Sequence, residues 1–185
     1  MPTLGIFGPQ GSGKSFFAML LARSLQLQDK NLMIYTNMNV TGDNIQIIND
    51  LGLVPFADNK NKVLIIDEAY FTLDSRNSSS KNNRIWSKAY ALFRKSDFVL
   101  TIFITHRPRM IDVNLREQMQ YYLMCRKNSQ HFDYLLLDAM SLLQVPIMIP
   151  KHDSLFNFAN YDTKDFPLPI TIQSLETHPL FQIAK

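Results

Sequence analysis

An α/β fold, a three-layer sandwich around a mainly parallel central sheet, follows from three features of the chain. The apolar run Leu4-Gly5-Ile6-Phe7 feeds a glycine-rich turn and then a helical pattern. The run Val63-Leu64-Ile65-Ile66 has four consecutive apolar residues and ends in Asp67-Glu68, as a strand buried on both faces does. A third apolar run, Phe98 to Ile104, closes on the polar Thr105-His106-Arg107-Pro108.

The first turn, Gly8-Pro9-Gln10-Gly11-Ser12-Gly13-Lys14-Ser15, has the Gly-x-x-x-x-Gly-Lys-Ser spacing of a phosphate-binding loop. Chance would produce that pattern in a chain of this length with a probability on the order of one per cent. Strand, loop and helix stand in the order the motif requires, which disfavours a plain glycine-rich turn with a helix cap. Glycines let successive backbone N–H groups approach phosphate oxygens, and the positive end of the next helix adds a favourable field. Lys14 is placed for the β- and γ-phosphates and the Ser15 hydroxyl for a magnesium ion. With the loop residues and the adjoining Phe16 these form the candidate nucleotide-binding set.

In chain order, Phe16, Phe17, Leu20, Leu21 and Leu25 give helical spacing over Ser15 to Leu27. Asn31 to Thr36 reads as a second strand, and the turn-forming Asn37 to Asn44 ends it. A short helix is expected over about Asp43 to Asp50, closed by Leu51-Gly52. At the end of the next strand Asp67 can hold the metal shell opposite Ser15, and Glu68 can orient and polarise an attacking water. An acidic helix start is the ordinary alternative for this pair.

Ser75 to Asn83, rich in Ser and Asn, reads as a mobile loop. Ile85, Trp86, Ala89, Tyr90, Leu92 and Phe93 mark one face of a helix over about residues 83 to 95. After the strand ending at Thr105-His106, a short helix is expected at about Val113 to Gln118, then strands at Tyr121 to Cys125 and Tyr134 to Leu137. Leu142 to Ile149 is apolar but alternates poorly. Pro146, Pro150, Pro167, Pro169 and Pro179 predict a mostly extended end to the chain. The expected division is a core over residues 1–150 and an extended C-terminal segment, 151–185, packed on that core or on a neighbouring subunit.

The 185 residues are 46% apolar, enough for one good core. Nineteen Lys and Arg against sixteen Asp and Glu give a net charge of +3, which permits a polyanionic partner without requiring one. Cys125 is the single cysteine, so an internal disulfide or a zinc cluster is excluded and a reducing cytosol is expected. No apolar stretch reaches the roughly 20 residues of a bilayer span, so a soluble chain is expected.

Together with the loop and the acidic pair, several stretches follow the order seen in FtsK/HerA-type ATPases. They are Leu73-Asp74-Ser75-Arg76, Ser80-Lys81-Asn82, Phe93-Arg94-Lys95, Thr105-His106-Arg107-Pro108, Ile111-Asp112, Leu115-Arg116 and Tyr161-Asp162-Thr163. From about Thr3 to Thr163 the chain resembles the small versions carried by viruses and mobile elements, the genome-packaging ATPases and the Zot-like proteins.

That resemblance implies a P-loop NTPase sandwich with RecA/FtsK-like strand order, in which a sensor strand lies between the phosphate-loop strand and the acidic strand. It implies ATP and Mg2+ as cofactors and an ATP-hydrolysing DNA translocase assembled as a ring homo-oligomer, usually a hexamer. Partners would be DNA, contacted without regard to sequence, and capsid or assembly proteins, in the host cytoplasm or the virion. His106 stands where the family usually has a sensor glutamine, which makes that role dependent on pH. Arg94 matches the position of an arginine acting across a subunit interface, with Arg76 as the second candidate. Lys81, Arg84, Lys88, Lys95, Arg107, Arg109 and Arg126 are candidate phosphate contacts on DNA.

Other readings remain open at this level. One is a Zot-like morphogenesis or secretion ATPase, and another a small-molecule P-loop kinase, although the acidic pair suits activation of water better than of a substrate hydroxyl. The last is a nucleotide-controlled scaffold.

Overall fold

The computed structural model describes residues 2–71, 85–86, 89–90, 93, 96–161, 166–172, 174–175 and 178. The elements are β1 (Thr3–Phe7), α1 (Lys14–Gln28), β2 (Met33–Thr36), β3 (Ile45–Ile47), β4 (Lys62–Ile66), β5 (Phe98–Thr105), α2 (Val113–Glu117), β6 (Tyr121–Lys127), β7 (His131–Asp138), β8 (Gln144–Pro150) and α3 (Asp153–Ala159). All eight strands join one sheet in the order β3-β2-β4-β5-β1-β6-β7-β8. From β3 through β6 every pairing is parallel, and β7 and β8 extend the sheet antiparallel.

The continuous apolar runs become central strands because both faces are covered. Every residue of β1 and β4 is buried. Alternation along β4 divides its side chains between two cores. Val63 and Ile65 pack with Phe16, Met19 and Ala22 of α1, together with Ile6, Ile34 and Ile102. Leu64 and Ile66 pack on the opposite face with Phe7, Tyr35, Trp86, Phe93, Phe103 and Leu115. Ile85, Trp86, Ala89, Tyr90 and Phe93 are helical, as their spacing predicts. The loop expected over Ser75 to Asn83 lies outside the described residues.

One local expectation in this part of the chain differs from the structure. The stretch read as a helix over Asp43 to Asp50 instead carries β3, paired parallel to β2 with Ile34 opposite Ile45. So short a segment gains little from helix formation by itself, whereas Ile45 and Ile47 are β-branched and β2 offers an open edge. A one-turn 3-10 helix, Leu51–Leu53, follows, with the Asp50 side chain accepting from the Gly52 N–H. The poorly alternating stretch after Leu142 is β8, an edge strand, where Pro146 and Pro150 are tolerated.

Within the stretch read as extended, His152 caps α3 by accepting from the Ser154 N–H, and Asn160 ends it at φ 47°. Phe156 of α3 meets Phe16 of α1 at a ring separation of 4.9 Å. Further on, Leu168 donates its N–H to the Asn37 carbonyl at 2.8 Å and Thr171 donates its own to Asn49 at 2.7 Å. Ile170, Ile172 and Leu175 complete the second core.

Asn37, just beyond β2, is the junction between this segment and the end of β4. Its amide nitrogen donates to the carbonyls of Asp67 (3.0 Å) and Leu168 (2.8 Å), and its oxygen accepts from the Asp67 N–H at 2.8 Å. The residue is 2% exposed, so removing its side chain strands buried backbone groups. Asn37→Ala is expected to cost about 1–3 kcal/mol, measured as a lower urea midpoint with an unchanged slope.

Candidate functional site

The loop after β1 owes its shape to two glycines. Gly13 has φ 83°, and a Cβ there would stand 2.5 Å from the Phe132 ring. Gly8 has φ 156°, and a Cβ there would stand 2.5 Å from the Cys125 carbonyl. Only glycine tolerates such approaches with that backbone. The neighbouring strands thus press on the loop, and the Tyr134 hydroxyl donates to the Gly13 carbonyl at 3.1 Å.

Within the loop, the buried Ser12 donates its hydroxyl to the Pro9 carbonyl at 2.8 Å, and Lys14 Nζ reaches the same carbonyl at 3.1 Å. α1 begins at Lys14 with no side-chain cap and no acid in its first turn, so its first amides face the loop with the positive end of the helix behind them. The result is a concave set of N–H donors with one ammonium folded across it, an anion cradle of triphosphate type. Pro9, Gln10 and Gly11 are exposed. Phe16 is 2% exposed, its ring packed against Phe132 at 5.1 Å, so its side chain belongs to the core.

Opposite the cradle stands the end of β4. Ser15 donates its hydroxyl to Asp67 Oδ2 at 2.5 Å. Asp67 is 6% exposed, and burial raises its pKa above the ordinary carboxylate value. The hydrogen bonds from Ser15 and the Glu68 N–H, and the charges of Lys14 and His106, act against that rise. A hydroxyl and a carboxylate meeting at one point form the hard-oxygen pair that a magnesium ion uses alongside phosphate oxygens and water, so these residues fit the metal.

Glu68 has φ 50°, a left-handed conformation uncommon for a residue with a side chain. Its Oε1 lies 3.3 Å from His106 Nε2 at the end of β5. Its Oε2 is buried and has no hydrogen-bond partner among the described residues. Burial first, and then the charge of Asp67, push the Glu68 pKa up, while His106 and Lys14 pull it down. A carboxylate with a raised pKa and an unsatisfied oxygen, close enough to Lys14 of the loop to feel its charge, is equipped to take a proton from water.

Lys14, Ser15, Asp67, Glu68 and His106 therefore converge from the C-terminal ends of β1, β4 and β5, with β5 between the other two strands as the family resemblance implies. Arg76 and Arg94 lie outside the described residues, as do Lys81, Arg84, Lys88 and Lys95. Arg107, Arg109 and Arg126 are exposed. Sequence reasoning missed Asn37 and Tyr134. Asn37 follows a strand like any turn residue, and Tyr134 alternates like any strand residue, so neither carries a pattern that marks it.

Residues 4–126 match the ATPase family associated with various cellular activities (AAA). No curated protein sequence matches significantly. The N-terminal domain of zonular occludens toxin from Neisseria meningitidis is similar in structure, with a TM-score of 0.56, 18% identity, and coverage of 87% of this chain and 98% of that one. The genome packaging NTPase B204 from Sulfolobus turreted icosahedral virus 2, in complex with ATP-gammaS, superposes with a TM-score of 0.59 at 15% identity, covering 78% of this chain and 96% of that one. B204, the DNA-packaging ATPase from Sulfolobus Turreted Icosahedral Virus, gives 0.58 at 16% identity over 82% and 98%. The resemblance read from the sequence to viral packaging and Zot-like ATPases is thus matched by the fold. With the loop, the acidic strand end and the intervening β5 in place, the chain belongs to the AAA family of P-loop ATPases.

Proposed function

We propose that the chain is an ATP-hydrolysing DNA translocase that works as a ring homo-oligomer, a hexamer, and packages a viral or mobile-element genome. The observation that carries the hydrolytic part is the paired contact at the strand ends, Ser15 on Asp67 at 2.5 Å and His106 on Glu68 at 3.3 Å, with Lys14 of the loop near enough to act on both carboxylates. Likeness to a DNA-packaging ATPase supports the DNA part, and the exposed Arg107, Arg109 and Arg126 suit contacts with phosphates.

In this reading the loop amides and Lys14 hold the β- and γ-phosphates. Ser15 and Asp67 hold Mg2+, which offsets the charge on the phosphates when bound. Glu68 Oε2 orients a water and accepts its proton as the water oxygen bonds to the γ-phosphorus and the bond to ADP breaks. His106 positions Glu68 through Oε1. Arg94 supplies the interfacial arginine, with Arg76 as its alternate. Capsid or assembly proteins would receive the ring in the host cytoplasm or at the virion.

A Zot-like morphogenesis ATPase is the second reading, favoured by likeness to the zonular occludens toxin domain over 87% of this chain. No helix among the described residues is long and apolar enough to cross a membrane. In that reading a membrane partner supplies the anchor.

Three outcomes are expected. Glu68→Gln lowers phosphate release by about 10²- to 10⁴-fold while the variant still retains bound ATP, measured by single-turnover hydrolysis and nucleotide retention. The folded pKa of Glu68 lies above its unfolded value, so the native state binds the proton more readily and ionisation costs stability as pH rises through the folded pKa. Glu68→Gln should therefore melt higher than wild type at pH 7, and the gap should close as pH falls through the ordinary carboxylate range. Finally, ATPase rate per subunit should rise with protein concentration and rise again with double-stranded DNA. A rate indifferent to DNA in the assembled protein would exclude the translocase and leave the morphogenesis reading.

A further inference from the structure

The last three strands of the sheet leave one face open. Met124 of β6 stands opposite Leu135 of β7, which stands opposite Pro146 of β8, and in the next row Arg126, Asp133 and Met148 are aligned in the same way. Directly opposed residues share a face of the sheet, here the face of Tyr122, which packs toward the core of Trp86 and Phe93. The other face of these strands, with Cys125, Phe132 and Tyr134, shares a core with Phe16 of α1 and Ala159 of α3. Over the open face runs a groove of about 450 Å³ between Met124, Arg126, Asp133, Leu135, Pro146 and Met148, large enough for an aromatic side chain and its neighbours. Met148 is 69% exposed, and unbranched thioether side chains adapt their shape to a guest.

The edge beside this groove is closed to an added strand. Lys151 donates its N–H to the Gln130 carbonyl at 3.2 Å and Leu143 accepts from the Asp138 N–H at 3.0 Å, so the odd-numbered residues of β8 turn their backbone groups toward β7. The even-numbered ones face outward, and two of them, Pro146 and Pro150, have no N–H to offer. A partner therefore meets the face and its side chains, not the edge.

A complement to the groove stands on the same chain. Phe166 is 90% exposed, and Leu168, two residues on, is exposed as well. Asn37 holds Leu168 at the end of β2, four strand spacings from β6, or about 19 Å. The backbone from Leu168 to Phe166 spans at most about 7 Å, so this knob cannot enter the groove of its own chain. It can enter that of a second copy, and a surface that meets a different surface on an identical chain repeats head to tail, the contact from which closed rings are built. Charge agrees with that pairing. Asp133 is engaged by His131 and Asn128, which leaves Arg126 with no hydrogen bond or ion pair among the described residues, while Pro167 and Leu168 line a hollow with the acids Asp67 and Glu68.

We infer that the open face of β6, β7 and β8 is a subunit interface, in which Phe166 of one copy seats between Met124, Leu135, Pro146 and Met148 of the next. This rests on the ring reading and names the two surfaces that close it.

The test is the mass of the full chain in solution, read by sedimentation velocity across protein concentration with Mg2+, a slowly hydrolysed ATP analogue and double-stranded DNA. Wild type should pass from monomer to a closed assembly. Phe166→Ala and Met148→Lys should each move that transition to at least about tenfold higher concentration, with the melting temperature of the monomer unchanged because both side chains are exposed. An equimolar mixture of the two variants should stop at dimers, since each pair holds one sound groove and one sound knob, a product that misfolded chains cannot give. Variants that assemble as wild type does overturn the inference while the ring stands, and leave the groove to a different protein. A mixture that forms no dimers overturns the head-to-tail pairing. Wild type that stays monomeric throughout overturns the ring reading itself, and this interface with it.

Discussion

The hydrogen bond from Ser15 to Asp67 joins the first turn of α1 to the end of β4, and the rest of the site depends on it. It forms across β5, which lies between β1 and β4 and spaces the loop and the acidic pair one strand apart at their C-terminal ends. In open parallel sheets the crevice outside those ends is where ligands bind. Burial costs the Asp67 carboxyl its hydration and raises its pKa, and that of the half-buried Glu68 is raised first by burial and then by the charge of Asp67. Ser15, the backbone N–H of Glu68, Lys14 and His106 offset the rise in part, and Glu68 Oε2 keeps an unmet hydrogen bond among the described residues.

The antiparallel extension is more than an added edge. Phe132 and Tyr134 of β7 bear directly on Gly13, so the strained turn that aims the first amides of α1 is held from outside the parallel core. The same Phe132 lies beneath α3 and against Phe16. Loop geometry, the packing of α1 and the packing of α3 therefore share one aromatic ring. A substitution at Phe132 acts on all three, which makes single-residue effects there poor reports on any one of them.

Asn37 plays the corresponding part on the other side of the sheet. Its one amide group fixes the backbone at Asp67 and receives the chain at Leu168, so a buried side chain joins the segment after α3 to the end of β4. The later residues Ile170, Ile172 and Leu175 then fill the core under β4 and β5. The C-terminal segment flanks the site twice, at Tyr161 beside the loop and at Leu168 behind the acids.

What could be read without coordinates is local. The loop motif, the apolar runs of β1, β4 and β5, and the polar residues that end them are patterns of near neighbours. Their periods and spacings follow from backbone geometry, so the fold class, Lys14, Ser15, Asp67 and Glu68 were all legible. The segment over Asp43 to Asp50 was not, because β3 exists only where β2 offers a free edge, a partner that no local pattern records. Tyr134, Asn37 and the lining of the groove were silent for the same reason. Tyr134 meets Gly13 across 121 residues and Asn37 meets Leu168 across 131, and contacts at such separation are made by strand order, not by the residues beside them in the chain.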